Sequence, residues 1–153
     1  MSGLLDRALE DNRMNTVHYI AIALAVIGLY IAAYFTLVYY GLLRPSTRLM
    51  PSVCRLKDRT CQTVLTTKYA RLFGVPNSLL GVLYYGAVIV IVWGGWTAAP
   101  VGSALIAAAW FAVAVGFLLV YSLFFIIRIP CPLCLAGHAI NLLLALLLTA
   151  GLR

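Results

Sequence analysis

The chain has 153 residues, of which 64% are hydrophobic and only 10% charged, and it carries a formal net charge of +7. So little polar surface cannot wrap a water-soluble core of this size, which excludes an ordinary soluble domain and points to a bilayer. The basic excess meets no nucleic-acid-binding fold, so nucleic acid is not an expected partner.

At the N-terminus, Met1 to Asn15 mixes Asp6, Glu10 and Asp11 with Arg7 and Arg13, and an uncharged stretch follows over residues 17–43. That apolar run is too long for a signal peptide, and no small-residue cleavage site precedes the first loop, so it reads as an uncleaved anchor. Two further stretches without Asp, Glu, Lys or Arg cover residues 72–127 and 129–152. One crossing of the hydrocarbon takes about 20 helical residues. The first and last stretches therefore supply one helix each and the middle stretch two. The middle one breaks at Trp93-Gly94-Gly95-Trp96-Thr97-Ala98-Ala99-Pro100, where two glycines and a proline release the helix and two tryptophans suit the interfacial belt. None of these runs shows the period of two that a barrel requires. The expected fold is an all-α integral membrane bundle of four helices, roughly 17–41, 78–96, 101–127 and 132–151, in a single domain spanning 1–153. The two halves are unlike, which removes the sequence cue for a transporter built from repeats.

The long polar segment, residues 44–78, carries Arg44, Arg48, Arg55, Lys57, Arg59, Lys68 and Arg71 against the single acid Asp58. By charge alone this is a basic loop held at anionic headgroups. Within it Leu65, Tyr69, Leu72 and Phe73 recur at helical spacing with Thr67, Lys68 and Arg71 on the other side. The pattern predicts a short amphipathic helix lying on the membrane surface and capping a pocket between the spans.

All four cysteines belong to this end of the bundle. Cys54 and Cys61 lie in the loop, and Cys131 and Cys134 form Cys131-Pro132-Leu133-Cys134 at the start of the last helix. The loop joins helices 1 and 2 and the CxxC follows helix 3, so both pairs emerge at one membrane face. Proline suits the first turn of a helix, which places Cys131 at the N-cap, where free N–H groups and the helix dipole favour a thiolate. Three readings compete. CxxC is a common half of a zinc site, but Cys54-x6-Cys61 is a wide second half and the CxxC abuts the bilayer. A purely structural pair of disulfides is another, although CxxC rings are more often redox-active. The third is a thiol oxidoreductase.

Positions 131, 134, 138 and 141 share one helix face, so Cys131, Cys134, His138 and Asn141 align. An intramembrane His is either functional or a contact between helices, and Asn141, deeper in, reads as structural. Asn77 and Ser78 follow Pro76 at the start of helix 2, where both residue types are favoured N-caps.

These residues together resemble the vitamin K epoxide reductase family: the loop cysteines followed by the CxxC, the helix entry Pro76-Asn77-Ser78-Leu79-Leu80-Gly81, and Ala139-Ile140-Asn141 behind Cys131-Pro132-Leu133-Cys134. The similarity runs from about helix 1 to the end of helix 4. It implies a quinone pocket inside the bundle, Cys131 and Cys134 as the active-site disulfide with Cys134 nearest the ring, and Cys54 and Cys61 as a shuttle pair. A reduced thioredoxin-like partner would attack at Cys54, Cys61 would attack Cys131, and Cys134 would pass electrons to the quinone. The acceptor would be of ubiquinone, menaquinone or vitamin K type, with no metal. Reduction of vitamin K quinone or its epoxide by the same cysteines is the neighbouring alternative, and a metal-binding membrane protein using the four cysteines is the alternative of another class. Asn77 matches the family's quinone-binding asparagine. His138 stands where vertebrate members carry a tyrosine and is placed with Asn77 as quinone-binding, the departure leaving its donation to the second quinone oxygen open. Bacterial relatives often carry a fused thioredoxin-like domain; this chain stops at Arg153, so the partner is expected to be a separate protein. A related four-helix bacterial thiol oxidase has its CxxC in the first loop, the reverse of the order here.

Family precedent puts the cysteines on the non-cytoplasmic face of a prokaryotic cell membrane, where disulfides persist. The charges favour the opposite. Seven Lys and Arg of the loop plus Arg128 lie on the cysteine face, against Arg7, Arg13 and Arg153 on the other, and the positive-inside rule read literally puts the former in the cytosol. A long loop weighs less in that rule, so the non-cytoplasmic placement is the expectation.

Overall fold

The computed structural model describes residues 2–43, 64, 71–72, 74–128 and 131–151. Helix α1 covers Ser2–Tyr39, two short strands follow at Arg71–Leu72 (β1) and Val75–Pro76 (β2), and α2 covers Asn77–Trp93. Helix α3, Val101–Tyr121, continues into a π-helical segment, Ser122–Ile127, and α4 covers Pro132–Gly151.

Three of these helices are long and apolar enough to cross a membrane: Met14–Tyr39 within α1, Val101–Ile127, and Pro132–Gly151. The 17 residues of α2 make a shorter apolar helix, rising only about 25 Å at 1.5 Å per residue. The expected start of the first helix at 17 is corrected to Ser2. Its polar opening turns are helical too, because charge bars residues from hydrocarbon and not from a helix that projects beyond it.

The amphipathic helix expected in the loop is corrected at its C-terminal end. Arg71 and Leu72 pair antiparallel with Pro76 and Val75 around a turn at Gly74, and a two-residue ladder cannot belong to a helix. The rest of that expected helix lies outside the described residues. Helix α2 then starts abruptly: Pro76 is its N-cap and no side chain caps it. The capping role expected for Asn77 and Ser78 is thus not taken up, since both already stand inside the first turn.

Glycine closes two helices. At the end of α2 the N–H of Trp96 donates to the carbonyl of Ile91 at 3.0 Å and that of Gly95 to Val92 at 3.2 Å. This paired pattern needs a left-handed residue, which Gly95 supplies at φ 68°. Gly41, at φ 72°, ends α1 by the same pair of bonds, Leu42 to Leu37 and Gly41 to Val38.

Helix α1 packs against α2 and α4, and α4 against α3, whereas α2 and α3, though joined by the hairpin, barely touch. Small residues make the central seam. Ala21, Ala25, Gly28 and Ala32 of α1 are buried at spacings of four, three and four, which brings helix backbones close where no hydrophobic effect can drive association. The main core adds Tyr85, Val88 and Val92 of α2, Leu105, Ala109 and Val113 of α3, and Ile140, Leu144, Ala145 and Leu148 of α4. A second cluster, Tyr34, Phe35, Leu123 and Cys131, sits at the other end of α1.

Candidate functional site

Cys131 and Cys134 are joined by a disulfide with their Cα atoms 5.3 Å apart. The local sequence accounts for the ring. Pro132 is the first residue of α4, so Cys131 takes the N-cap position, and its Sγ accepts the N–H of Cys134 at 3.3 Å. Its carbonyl accepts the N–H of Leu135 at 3.1 Å and so begins the helix ladder. The π-helical segment before it turns Leu123 inward while leaving Phe124, Phe125 and Ile126 exposed, and Arg128 in the left-handed region ends it. Such π segments often mark functional places; here the segment brings the chain back so that Cys131 is enclosed, at 0% exposure, beside Tyr34, Phe35 and Leu123.

Cys134 has a different environment. It lines a cavity of about 660 Å³ between α2 and α3, floored by α1 and α4, within the range that takes a drug-sized molecule. The cavity follows from the packing: α2 lies on α1 and α3 on α4, and the side left between α2 and α3 is filled by neither. Its α3 wall is made small by Ala104, Ala108, Ala112 and Gly116 at spacings of four. Most of the lining is apolar. The polar residues, Asn77, Ser78, Tyr84, Tyr85, His138 and Asn141, come from α2 and α4. Asn77 and Cys134 both stand in the first turn of their helices, so the starts of α2 and α4 share the cavity mouth. The opposite end of the bundle is marked by Gly151, where an added Cβ would lie 2.6 Å from Val17.

The polar residues divide by their partners. Tyr85, 4% exposed, donates its hydroxyl to Asn141 Oδ1 at 2.7 Å and lies 3.3 Å from the carbonyl oxygen of Gly137. Asn141 is thereby a structural tie between α2 and α4, as its depth implied. Three others have buried polar atoms without a protein partner: Ser78 Oγ, Tyr84 Oη and His138 Nδ1. An unmet polar group costs about 1–3 kcal/mol by protein mutational data and more in hydrocarbon. Three around one cavity suit a ligand with polar edges and an apolar body.

Of the residues singled out in the sequence, the structure brings Asn77, Cys134 and His138 to one cavity and sets Cys131 directly behind it. Cys54 and Cys61 lie outside the described residues. Tyr84 and the close-packed glycines were missed. Gly116 is what admits His138, since a Cβ there would stand 2.8 Å from Nδ1. Gly28 likewise admits the ring of Tyr85. The spacing of small residues along α1 and α3 was the available signal. Among the described residues no three His, Cys, Asp or Glu side chains are gathered as a metal would need, and the sulfurs of Cys131 and Cys134 are bonded to each other.

No individually curated protein matches the sequence. The profile of the vitamin K epoxide reductase family matches residues 19–149, a span that takes in the apolar part of α1, the loop, the cavity and the CxxC disulfide. With the match covering most of the molecule, this oxidoreductase chain, an integral membrane protein, belongs to the vitamin K epoxide reductase family.

Proposed function

We propose that the protein is a thiol:quinone oxidoreductase that takes electrons from a separate thioredoxin-like protein and supports disulfide formation. The observation that carries the reading is the placement of one disulfide across two environments: Cys131 enclosed, Cys134 on the wall of an apolar cavity with polar atoms at its edges. A redox-inert staple has no use for such a cavity, and a quinone is apolar in the body and polar at two oxygens.

In this reading one thiolate of a partner dithiol attacks the Cys54–Cys61 disulfide at Cys54, and the partner's second thiol resolves the mixed disulfide, so the partner leaves oxidised and the pair reduced. Cys61 then attacks Cys131, and the Cys131–Cys134 bond breaks with Cys134 released as a thiolate on the cavity wall. Once Cys54 has displaced Cys131 from Cys61, the two cavity thiols hold the electron pair. Re-forming Cys131–Cys134 delivers two electrons to the quinone, which takes up two protons and leaves as the quinol. Each sulfur step is ordinary thiol–disulfide exchange. Asn77, at the mouth, and His138, one turn below Cys134, are the polar groups this reading assigns to the ring. The open side between α2 and α3 faces lipid, the route for a lipid-soluble substrate. On the same reading α2 is the fourth crossing, and the cysteines face the non-cytoplasmic side.

The test is reduction of a soluble quinone by purified protein supplied with a reduced thioredoxin-like protein, followed by quinone absorbance. Full activity in Cys134→Ala sinks the proposal. Running quinone and quinone epoxide side by side identifies the oxidised substrate, and thiol labelling from each side of the membrane fixes the face.

A further inference from the structure

We propose that Tyr84 is a ligand-binding residue whose hydroxyl donates a hydrogen bond to the quinone oxygen turned away from Asn77; this rests on the quinone reading above. Two tyrosines stand side by side on α2, their ring centroids 5.2 Å apart, yet they are in different states. Tyr85 is committed, its proton given to Asn141. The Tyr84 hydroxyl is buried and has no protein partner, although its residue lines the cavity. Leaving a phenol unmet in hydrocarbon is unfavourable, and a Phe would fill the same space without that penalty. The hydroxyl therefore lacks an acceptor that a polar group reaching it from the cavity would supply.

The helix geometry fits one ring between the two residues. Asn77, Gly81 and Tyr84 fall at spacings of four and three, on one face of α2, and all three line the cavity. Gly81 between them lets α1 pack close, since a Cβ there would stand 3.2 Å from that of Ala32. Tyr84 lies about 10 Å along the axis from Asn77 at 1.5 Å per residue. A long side chain on a helix leans back toward the N-terminus, so the phenol reaches toward Asn77. The first turn of α4, with Cys134, stands at the same mouth, and His138 follows one turn below. A ring seated between Asn77 and Tyr84 is thus bracketed along α2 by an amide and a phenol, with Cys134 at the mouth.

The experiment compares wild type and Tyr84→Phe in detergent, using 2-methyl-1,4-naphthoquinone as the probe. Four quantities are measured: kcat and KM with a dithiol donor, Kd of the probe for the oxidised protein by equilibrium dialysis, the rate of Cys131–Cys134 reduction by dithiol without quinone, and the unfolding midpoint. Loss of one hydrogen bond predicts a rise of roughly 3- to 10-fold in Kd and a matching fall in kcat/KM, with disulfide reduction unchanged and the midpoint no lower, since the unmet phenol is gone. An unchanged Kd overturns the assignment, and so does a loss accompanied by a lower midpoint and slower disulfide reduction, which is the signature of a packing role. Wild type that binds the probe without reducing it sinks the oxidoreductase reading while the Kd comparison still decides Tyr84. Wild type that neither binds nor reduces it overturns both.

Discussion

Gly28→Ala is a severe test of the packing that shapes the cavity. The new methyl would run into the Cε1, Cζ and Cε2 atoms of the Tyr85 ring, the last at 2.8 Å, where carbon atoms prefer about 3.5–4.0 Å. The ring must retreat by about 1 Å. It is 4% exposed, so it moves only against packed neighbours or into the cavity it lines, and the same movement stretches its 2.7 Å bond to Asn141 beyond hydrogen-bonding range. Overpacking of this kind costs about 1–3 kcal/mol, and an interhelical hydrogen bond in a membrane protein averages about 0.6 and reaches about 1.7. The sum is about 2–5 kcal/mol of destabilisation, measured by reversible unfolding in detergent. Tyr85→Phe alone should cost only the hydrogen-bond part. In a Tyr85→Leu background the Gly28→Ala cost should fall below about 0.5 kcal/mol, because the ring it collides with is gone and contacting residues couple in double-mutant cycles. A Gly28→Ala cost no larger than that of Tyr85→Phe, or one that is the same in both backgrounds, would refute the reasoning.

Gly116→Ala should push the imidazole of His138 out of place, since the added Cβ would stand 2.8 Å from Nδ1; quinone kcat/KM is expected to fall several-fold, and the effect should shrink in a His138→Ala background. Ala108→Trp fills the α3 wall of the cavity and should raise KM more for a long-tailed quinone than for a tailless one, with the rate of disulfide reduction by dithiol unchanged. Trp110→Phe removes the bond its indole N–H donates to Thr149 Oγ1 at 3.0 Å between α3 and α4. Because Trp110 is half exposed and outside the cavity, unfolding in detergent should show a loss of only about 0.6 kcal/mol, with kcat and KM unaltered.

Runs free of charge located the apolar spans because the bilayer forbids charge over a fixed length. The same test is blind outside the bilayer, which is why the polar first turns of α1 were invisible to it. Apolar spacing misread Arg71 and Leu72 for a related reason: the pattern that fits a surface helix also fits a short stretch folded back by Gly74. The CxxC geometry was legible from Pro132, whose missing N–H admits it to a first turn and sets Cys131 at the cap. Asn77 was legible as a residue and not as a position, since nothing local says that Pro76 and not Asn77 ends the extended chain. The difference between Tyr84 and Tyr85 was not legible at all. Adjacent identical residues carry the same propensity, and only the partner across the helix interface distinguishes the committed hydroxyl from the uncommitted one.

That interface also explains how a bundle can hold a cavity and a fixed sulfur at once. Helices α2 and α3 share few contacts of their own; each is held from behind, α2 by α1 and α3 by α4. The seam between α1 and α4 carries both, and the disulfide stands at the first turn of α4. Parting α2 from α3 to pass a ring from the lipid therefore separates surfaces that are barely in contact. It need not disturb the seam or the place of Cys134. The Tyr85–Asn141 bond limits that parting on the cysteine side by tying α2 to α4 two turns below Cys134. Toward the hairpin the α2 and α3 walls of the cavity are Ile91, Val101 and Ala104 and offer no polar group to hold a ligand. On the proposed quinone reading, a lipid-soluble ring entering there passes the tied pair Tyr85 and Asn141, two turns from Cys134, before it reaches the sulfur.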